Sequence, residues 1–292
     1  MFRRTLPIAW LLLALSAAGC SGPPSSVAFK LGTVNRDLTY CNSQRLDLYV
    51  PRSVPGPHPI VMHVHGGGMT AGDKSDLSPT FLNALASSGY AVASVNYRLA
   101  PGSRFPAQIQ DVKCAVRYLR AKAPSLGLDG TDIFAFGTSV GGQLVALVAL
   151  TGPNSLFDVG SYSKESSAVR AVADLFGPAN LTQSASGFSP SGIQQVFGKN
   201  DRRKLLLASP TNFVGPHSAP ILIVQGVDDT KVLKSQSTEL YGDLTAAGAS
   251  AQLVLVQNMG HMFEQAGSKP IVPSVSQIAQ DVVSFFNRER SL

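Results

Sequence analysis

The chain has 292 residues, 44% of them hydrophobic and 14% charged, with 27 Gly, 19 Pro and a formal net charge of +6. That length supports one large domain or two small ones, while the apolar content and modest net charge exclude intrinsic disorder, and the aperiodic Gly and Pro exclude a collagen-like chain. Beyond the N-terminus the densest basic run is Arg202-Arg203-Lys204, too short and too poor in aromatics for a nucleic-acid footprint, so no nucleic-acid partner is expected.

Residues 1–19 read as an address. Arg3 and Arg4 precede the apolar run Leu6 to Ala18, which Pro7 interrupts and which is too short to span a bilayer as a helix. A basic start, an apolar centre and small residues before a cut point make a secretory signal. The stretch Leu15-Ser16-Ala17-Ala18-Gly19-Cys20 resembles a bacterial lipoprotein signal. That resemblance implies a lipid on Cys20 and an extracytoplasmic, membrane-anchored protein. With Ser21 next in the chain, it implies the periplasmic face of the outer membrane in a cell with two membranes. An ordinary cleaved signal is the alternative. Residues 20–35, with Ser-Gly-Pro-Pro-Ser-Ser at 21–26, are expected to form the lipidated Cys and a flexible tether, and 36–292 the folded domain.

The alternation of Leu46-Asp47-Leu48-Tyr49-Val50 predicts a half-exposed strand, and Ile60 to Val64 a buried one. Ser78-Pro79 marks a helix start carrying Phe81, Leu82 and Leu85. A strand at Tyr90–Val95 follows, then a helix from Pro106 to Lys122, a strand at Ile133–Phe136 and a buried helix at Gly141–Leu150. Further strands are predicted at Val169–Phe176, Ile221–Gln225 and Leu253–Val256, with helices near Ser235–Ala247 and Val275–Asn287. Strand and helix in alternation define an α/β fold: a mostly parallel sheet covered on both faces, with its chemistry at the carboxyl ends of the strands. Cys41 and Cys114 can pair in an oxidising compartment; Cys114 also sits in a helical pattern (Ile109, Val112, Val116, Leu119) that suits a small core residue, and both readings stand at this point.

Three loops carry candidate chemistry. Gly137-Thr138-Ser139-Val140-Gly141 lies between a strand and a helix. A Ser raised on that tight turn needs glycine on either side, and the helix N-terminus favours developing negative charge. His65-Gly66-Gly67-Gly68 follows a strand, and its glycines let backbone N–H groups approach a carbonyl unobstructed; His65 itself is read as a structural residue of the loop. Downstream, Gln225-Gly226-Val227-Asp228-Asp229 and Gly260-His261 supply an acid and then a His, in the order Ser, Asp, His. A Ser hydroxyl needs a His to accept its proton, and that His needs a carboxylate to fix its tautomer. On residues alone, Asp228 and Asp229 compete. No cluster has zinc-like ligand spacing, and no metal or organic cofactor is expected.

Together with Asn96-Tyr97-Arg98-Leu99-Ala100-Pro101 and Phe105 to Asp111, these stretches resemble the α/β-hydrolase group of bacterial esterases related to hormone-sensitive lipase and to acetyl- and feruloyl-esterases. The resemblance runs from about residue 40 to 290 and implies an α/β-hydrolase fold with a small cap from Phe176 to Pro220. It implies Ser139 as nucleophile, His261 as base, and Asp229 as acid from the spacing Gly226, Asp229, Val232. Gly67, Gly68 and Val140 are implied as oxyanion donors, and Tyr97, Arg98 and Asp111 as supports. Thr138, Val140, Met69 and Gln225 depart from common family choices. The function that follows is serine carboxylesterase action on short acyl esters, small or glycan-linked. An arylformamidase-like amidohydrolase is the alternative, and a catalytically silent binding protein a more remote one.

Overall fold

The computed structural model describes residues 31–52, 54–198 and 201–291. The expected signal, lipidated Cys20 and first part of the tether lie outside the described residues. Among the described residues, eight strands form one sheet: β1 (Leu31–Thr39), β2 (Arg45–Pro51), β3 (His58–Val64), β4 (Ala91–Val95), β5 (Leu128–Thr138), β6 (Val172–Leu175), β7 (Ile221–Gly226) and β8 (Ala251–Val256), in the order β1-β2-β4-β3-β5-β6-β7-β8. The β1–β2 and β2–β4 pairs are antiparallel, and every pairing from β4 to β8 is parallel. Among the described residues there are seven α-helices: α1 (Pro79–Ser87), α2 (Ala107–Leu126), α3 (Val140–Thr151), α4 (Pro190–Phe197), α5 (Arg202–Ala208), α6 (Lys234–Ala246) and α7 (Val275–Ser291).

Side-chain alternation splits the core into two layers. Val61, Val92, Phe134 and Phe136 point to the face covered by α1 and α7, where they meet Phe81, Leu85, Val282 and Phe286. Ile60, Met62, Ala93 and Ala135 point to the other face, against Ile109 and Val112 of α2, Leu144 of α3 and Leu240 of α6. Because both faces are covered, β3, β4 and β7 are buried along their whole length, which is why they read as continuous apolar runs. Helix α1 starts where predicted, with Ser78 at its cap position, although the cap makes no side-chain hydrogen bond. Helix α2 runs one turn past the predicted Lys122, through Pro124, and stops at Gly127 in the left-handed conformation.

Three points differ from the sequence reading. The sheet begins before residue 36: Leu31, Thr33, Val34 and Asn35 already pair with β2, so the strand takes the end of the stretch expected as tether. The strand expected at Val169–Phe176 is confined to Val172–Leu175, and at its C-terminal end Phe176 turns to φ 49° and leaves the extended region. Helices α4 and α5 were not predicted; each is short and lies within the cap stretch. The open cysteine question closes on a Cys41–Cys114 disulfide with 6.2 Å between Cα atoms, tying the β1–β2 connection to α2.

Candidate active site

All three chemical loops emerge from the carboxyl end of the sheet. β5 ends at Thr138 and α3 begins at Val140, leaving Ser139 at the corner with φ 54° and ψ −126°. A non-glycine residue is strained in that region, and surrounding contacts hold it there. Ser139 N–H donates to Leu175 O at 2.9 Å, and its carbonyl accepts from Gln143 N–H at 3.1 Å. The corner closes only because position 141 lacks a side chain: a Cβ on Gly141 would lie 2.1 Å from Val64 O.

His261 approaches from the loop after β8. Its Nε2 lies 3.0 Å from Ser139 Oγ, and its Nδ1 lies 2.7 Å from Asp229 Oδ2. Asp229 is the better-placed of the two adjacent acids: it is buried and accepts from Lys231 N–H at 2.9 Å and Val232 N–H at 3.0 Å on Oδ1, whereas Asp228 is exposed. The ring of Phe176 meets the imidazole edge-to-face, 5.2 Å between centroids. Ser139, His261 and Asp229 therefore form one hydrogen-bonded chain from the cleft into the protein. His58 and His63 are buried in β3, with His63 Nδ1 2.8 Å from Ser94 Oγ; burial, with His65 nearby, lowers the His63 pKa to about 3.

The glycine loop faces this chain. Gly67 and Gly68 have φ of +93° and +63°, and Met69 behind them is buried. Tyr97 Oη donates toward the carbonyls of His65 (3.1 Å) and Gly66 (3.0 Å), and its ring stacks on the His65 imidazole at 4.2 Å. Burial lowers the His65 pKa, keeping that imidazole neutral, and Nδ1 lies 2.9 Å from Gly66 O. Arg98 forks onto Asp111 with two 2.8 Å bonds, fixing the segment that carries Tyr97. Among the described residues the N–H groups of Gly67, Gly68 and Val140 make no backbone hydrogen bond; that of Val140, the first residue of α3, has no helical partner. These three residues, with Ser139 and His261, line a cleft of about 470 Å³ whose far wall is the cap segment at Ser186, Gly187 and Phe188. Of the residues singled out from the sequence, Gly67, Gly68, Ser139, Val140 and His261 line this cleft, while Asp229 lies behind it and reaches it through His261. What the sequence reading missed is the layer behind Asp229, formed by Gln225 and Ser237, and the edge-to-face contact of Phe176.

A strained Ser on a strand–helix corner, a His and a carboxylate at the carboxyl end of a mostly parallel sheet define an α/β-hydrolase. The chain belongs to the BD-FAE family, whose model matches residues 46–244. It is 28% identical over 246 residues to Esterase LipC of Mycobacterium tuberculosis, covering 81% of this chain and 61% of LipC. It is 27% identical over 216 residues to the ethyl acetate hydrolase of Pseudomonas putida, covering 71% of this chain and 67% of that protein. A solved structure titled as a truncated carbohydrate esterase from gut microbiota superposes with a TM-score of 0.79 at 28% identity, covering 90% of this chain and 98% of the other. The chain spans between half and two thirds of the length of LipC, LipM and LipQ, three similar esterases of Mycobacterium tuberculosis.

Proposed function

We propose that this protein is a serine carboxylesterase acting on short acyl esters. The observation that carries the reading is the pair of contacts at His261, 3.0 Å to Ser139 Oγ and 2.7 Å to Asp229 Oδ2. Ser139 Oγ attacks the ester carbonyl while its proton passes to His261 Nε2, and Asp229 holds the Nδ1–H tautomer and stabilises the imidazolium. The carbonyl oxygen becomes an oxyanion against the N–H groups of Gly67, Gly68 and Val140, each such donor lowering the barrier by about 3 kcal/mol. His261 then returns the proton to the leaving alcohol. Water, deprotonated by His261, hydrolyses the acyl-Ser139 ester by the same route in reverse. The esterase names among the relatives support this reading, and the carbohydrate-esterase neighbour favours an alcohol that is a sugar.

We further propose export and lipid anchoring at Cys20. The Cys41–Cys114 disulfide supports the export, since such bonds persist in oxidising compartments. Labelling with a radioactive fatty acid that persists in Cys20→Ser would overturn the anchor.

The deciding experiment is hydrolysis of p-nitrophenyl esters from acetate to laurate by the parent and by Ser139→Ala. Turnover highest for acetate and butyrate, falling by about a thousandfold or more in the variant, is expected. A variant as active as the parent would overturn the role of Ser139. Turnover of a matched aryl formamide but of no ester would favour the amidohydrolase alternative.

A further inference from the structure

Behind Asp229 lies a buried amide that the proposed mechanism does not use. Gln225 is the penultimate residue of β7 and is fully buried. Its Nε2 faces three acceptors: Gly226 O at 3.1 Å, Val232 O at 3.1 Å and Asp229 Oδ2 at 3.3 Å. The amide is oriented from behind, because its Oε1 accepts from Ser237 Oγ of α6 at 2.8 Å. An O–H donor there forces the NH₂ side of the amide toward Asp229. Val232 closes the ring, since its N–H donates to Asp229 Oδ1 while its carbonyl accepts from Gln225. The loop from Gly226 to Val232 is thus pinned at both ends by one side chain, and Asp229 Oδ2 shares its charge between Gln225 and His261.

We propose that Gln225, oriented by Ser237, is a positioning residue for Asp229: it fixes which carboxylate oxygen meets His261 Nδ1 and divides that oxygen's negative charge between two donors. The inference rests on the reading of Ser139, His261 and Asp229 as the reacting chain. Without the Gln225 donor, Oδ2 gives its charge to the imidazole alone, so protonated His261 is favoured and a higher pH is needed to free the base. The carboxylate also loses one of its restraints. The other charged or titratable groups around the site are Lys231 and Asp76, which line the cleft, Asp228 and Glu264, and Asp174 at the end of β6, whose burial pushes its carboxyl up to about 7; all are unaltered by the substitution.

The test is a pH profile of kcat/KM and a kcat and KM determination for Gln225→Met, which keeps chain length without a donor, and for Ser237→Ala, which removes only the orienting hydroxyl. Active-site titration and thermal melts count the folded, competent enzyme. For Gln225→Met we expect kcat to fall about ten- to a hundredfold with KM nearly unchanged, as small displacements of a catalytic group do. Its acid limb should move up by about half to one pH unit. Ser237→Ala should move both in the same direction by less, and decides the matter if Gln225→Met does not fold. Folded variants with parental kcat and superimposable profiles, or losses confined to KM, would overturn the positioning role. If instead Ser139→Ala retains activity, it is the serine-esterase reading that fails.

Discussion

Asp229 and Asp174 are both buried at the carboxyl end of the sheet, and they differ in how many hydrogen-bond donors surround them. Asp229 accepts from two backbone N–H groups, one amide and His261. Asp174, at the end of β6, accepts among the described residues from Gly177 N–H alone, at 2.9 Å, and its burial pushes the carboxyl up to about 7. It presses on α3 so closely that a Cβ on Gly142 would lie 2.1 Å from its Oδ1. With a folded pKa above the ordinary 3.8, Asp174 is protonated in the native state while the unfolded chain has already ionised. Its contribution to stability is therefore intact below pH 3.8 and is lost as pH rises to about 7. Asp174→Asn keeps the acceptor and removes the titration. The variant's melting temperature relative to the parent should accordingly rise between pH 4 and pH 8. A difference that stays constant across that range would show that Asp174 does not carry this penalty.

At the scale of elements, legibility followed burial and chemistry. Strands β3, β4 and β7 announced themselves because two-sided burial demands unbroken apolar runs. The Ser139 corner announced itself because its glycines are forced by backbone contacts. Strand β1 did not: it is a sheet edge of largely polar, exposed or half-buried residues with two register shifts, so no alternation survives in Leu31–Thr39. Helix α4 carries the same Ser-Pro start as α1 (Ser189-Pro190), and α5 is capped by Asp201, whose side chain accepts from Arg203 and Lys204 N–H; these were the available signals. The role of Gln225 was out of reach, because it depends on how far α6 sits from the end of β7. The disulfide was equally out of reach, since it depends on a Cα separation. It closes 73 residues of chain, and alongside it Tyr40 Oη donates to Asn96 O and Asn42 Nδ2 to Asp111 Oδ1. Loop-closure entropy for that span is about 4 kcal/mol. Cys41→Ala/Cys114→Ala should therefore melt roughly 10 °C lower than the parent. Reductant should bring the parent down to the variant. Neither cysteine lines the cleft, so kcat at room temperature should be unchanged. Equal melting temperatures would mean that the pair does not hold the fold together.

Across the whole molecule, the cap is fastened to the hydrolase body at several points. Gln143 of α3 donates to Ala208 O at 2.7 Å, Phe105 N–H donates to Val196 O at 3.0 Å, and Gln236 Oε1 of α6 accepts from Ala179 and Asn180 N–H. A cap tied in this way to α3 and to α6 sets the cleft's shape through side chains. Chain-length preference should then be decided by the residue that closes the cleft. Phe188 is the large side chain the cap contributes there, half-buried and packed edge-to-face on Phe197 at 5.8 Å. Phe188→Ala should lengthen the apolar wall available to an acyl chain, each newly buried CH₂ adding about 0.8 kcal/mol, or roughly fourfold. The ratio of kcat/KM for octanoate over butyrate p-nitrophenyl esters should therefore rise about tenfold or more, while Phe188→Leu gives a smaller rise and Phe188→Trp lowers it. Ratios alone are compared, so a general loss of activity from a loosened cap does not imitate the effect. A ratio unmoved in all three variants would place the limit on acyl length elsewhere, at Val140 or Val232 on the body side of the cleft.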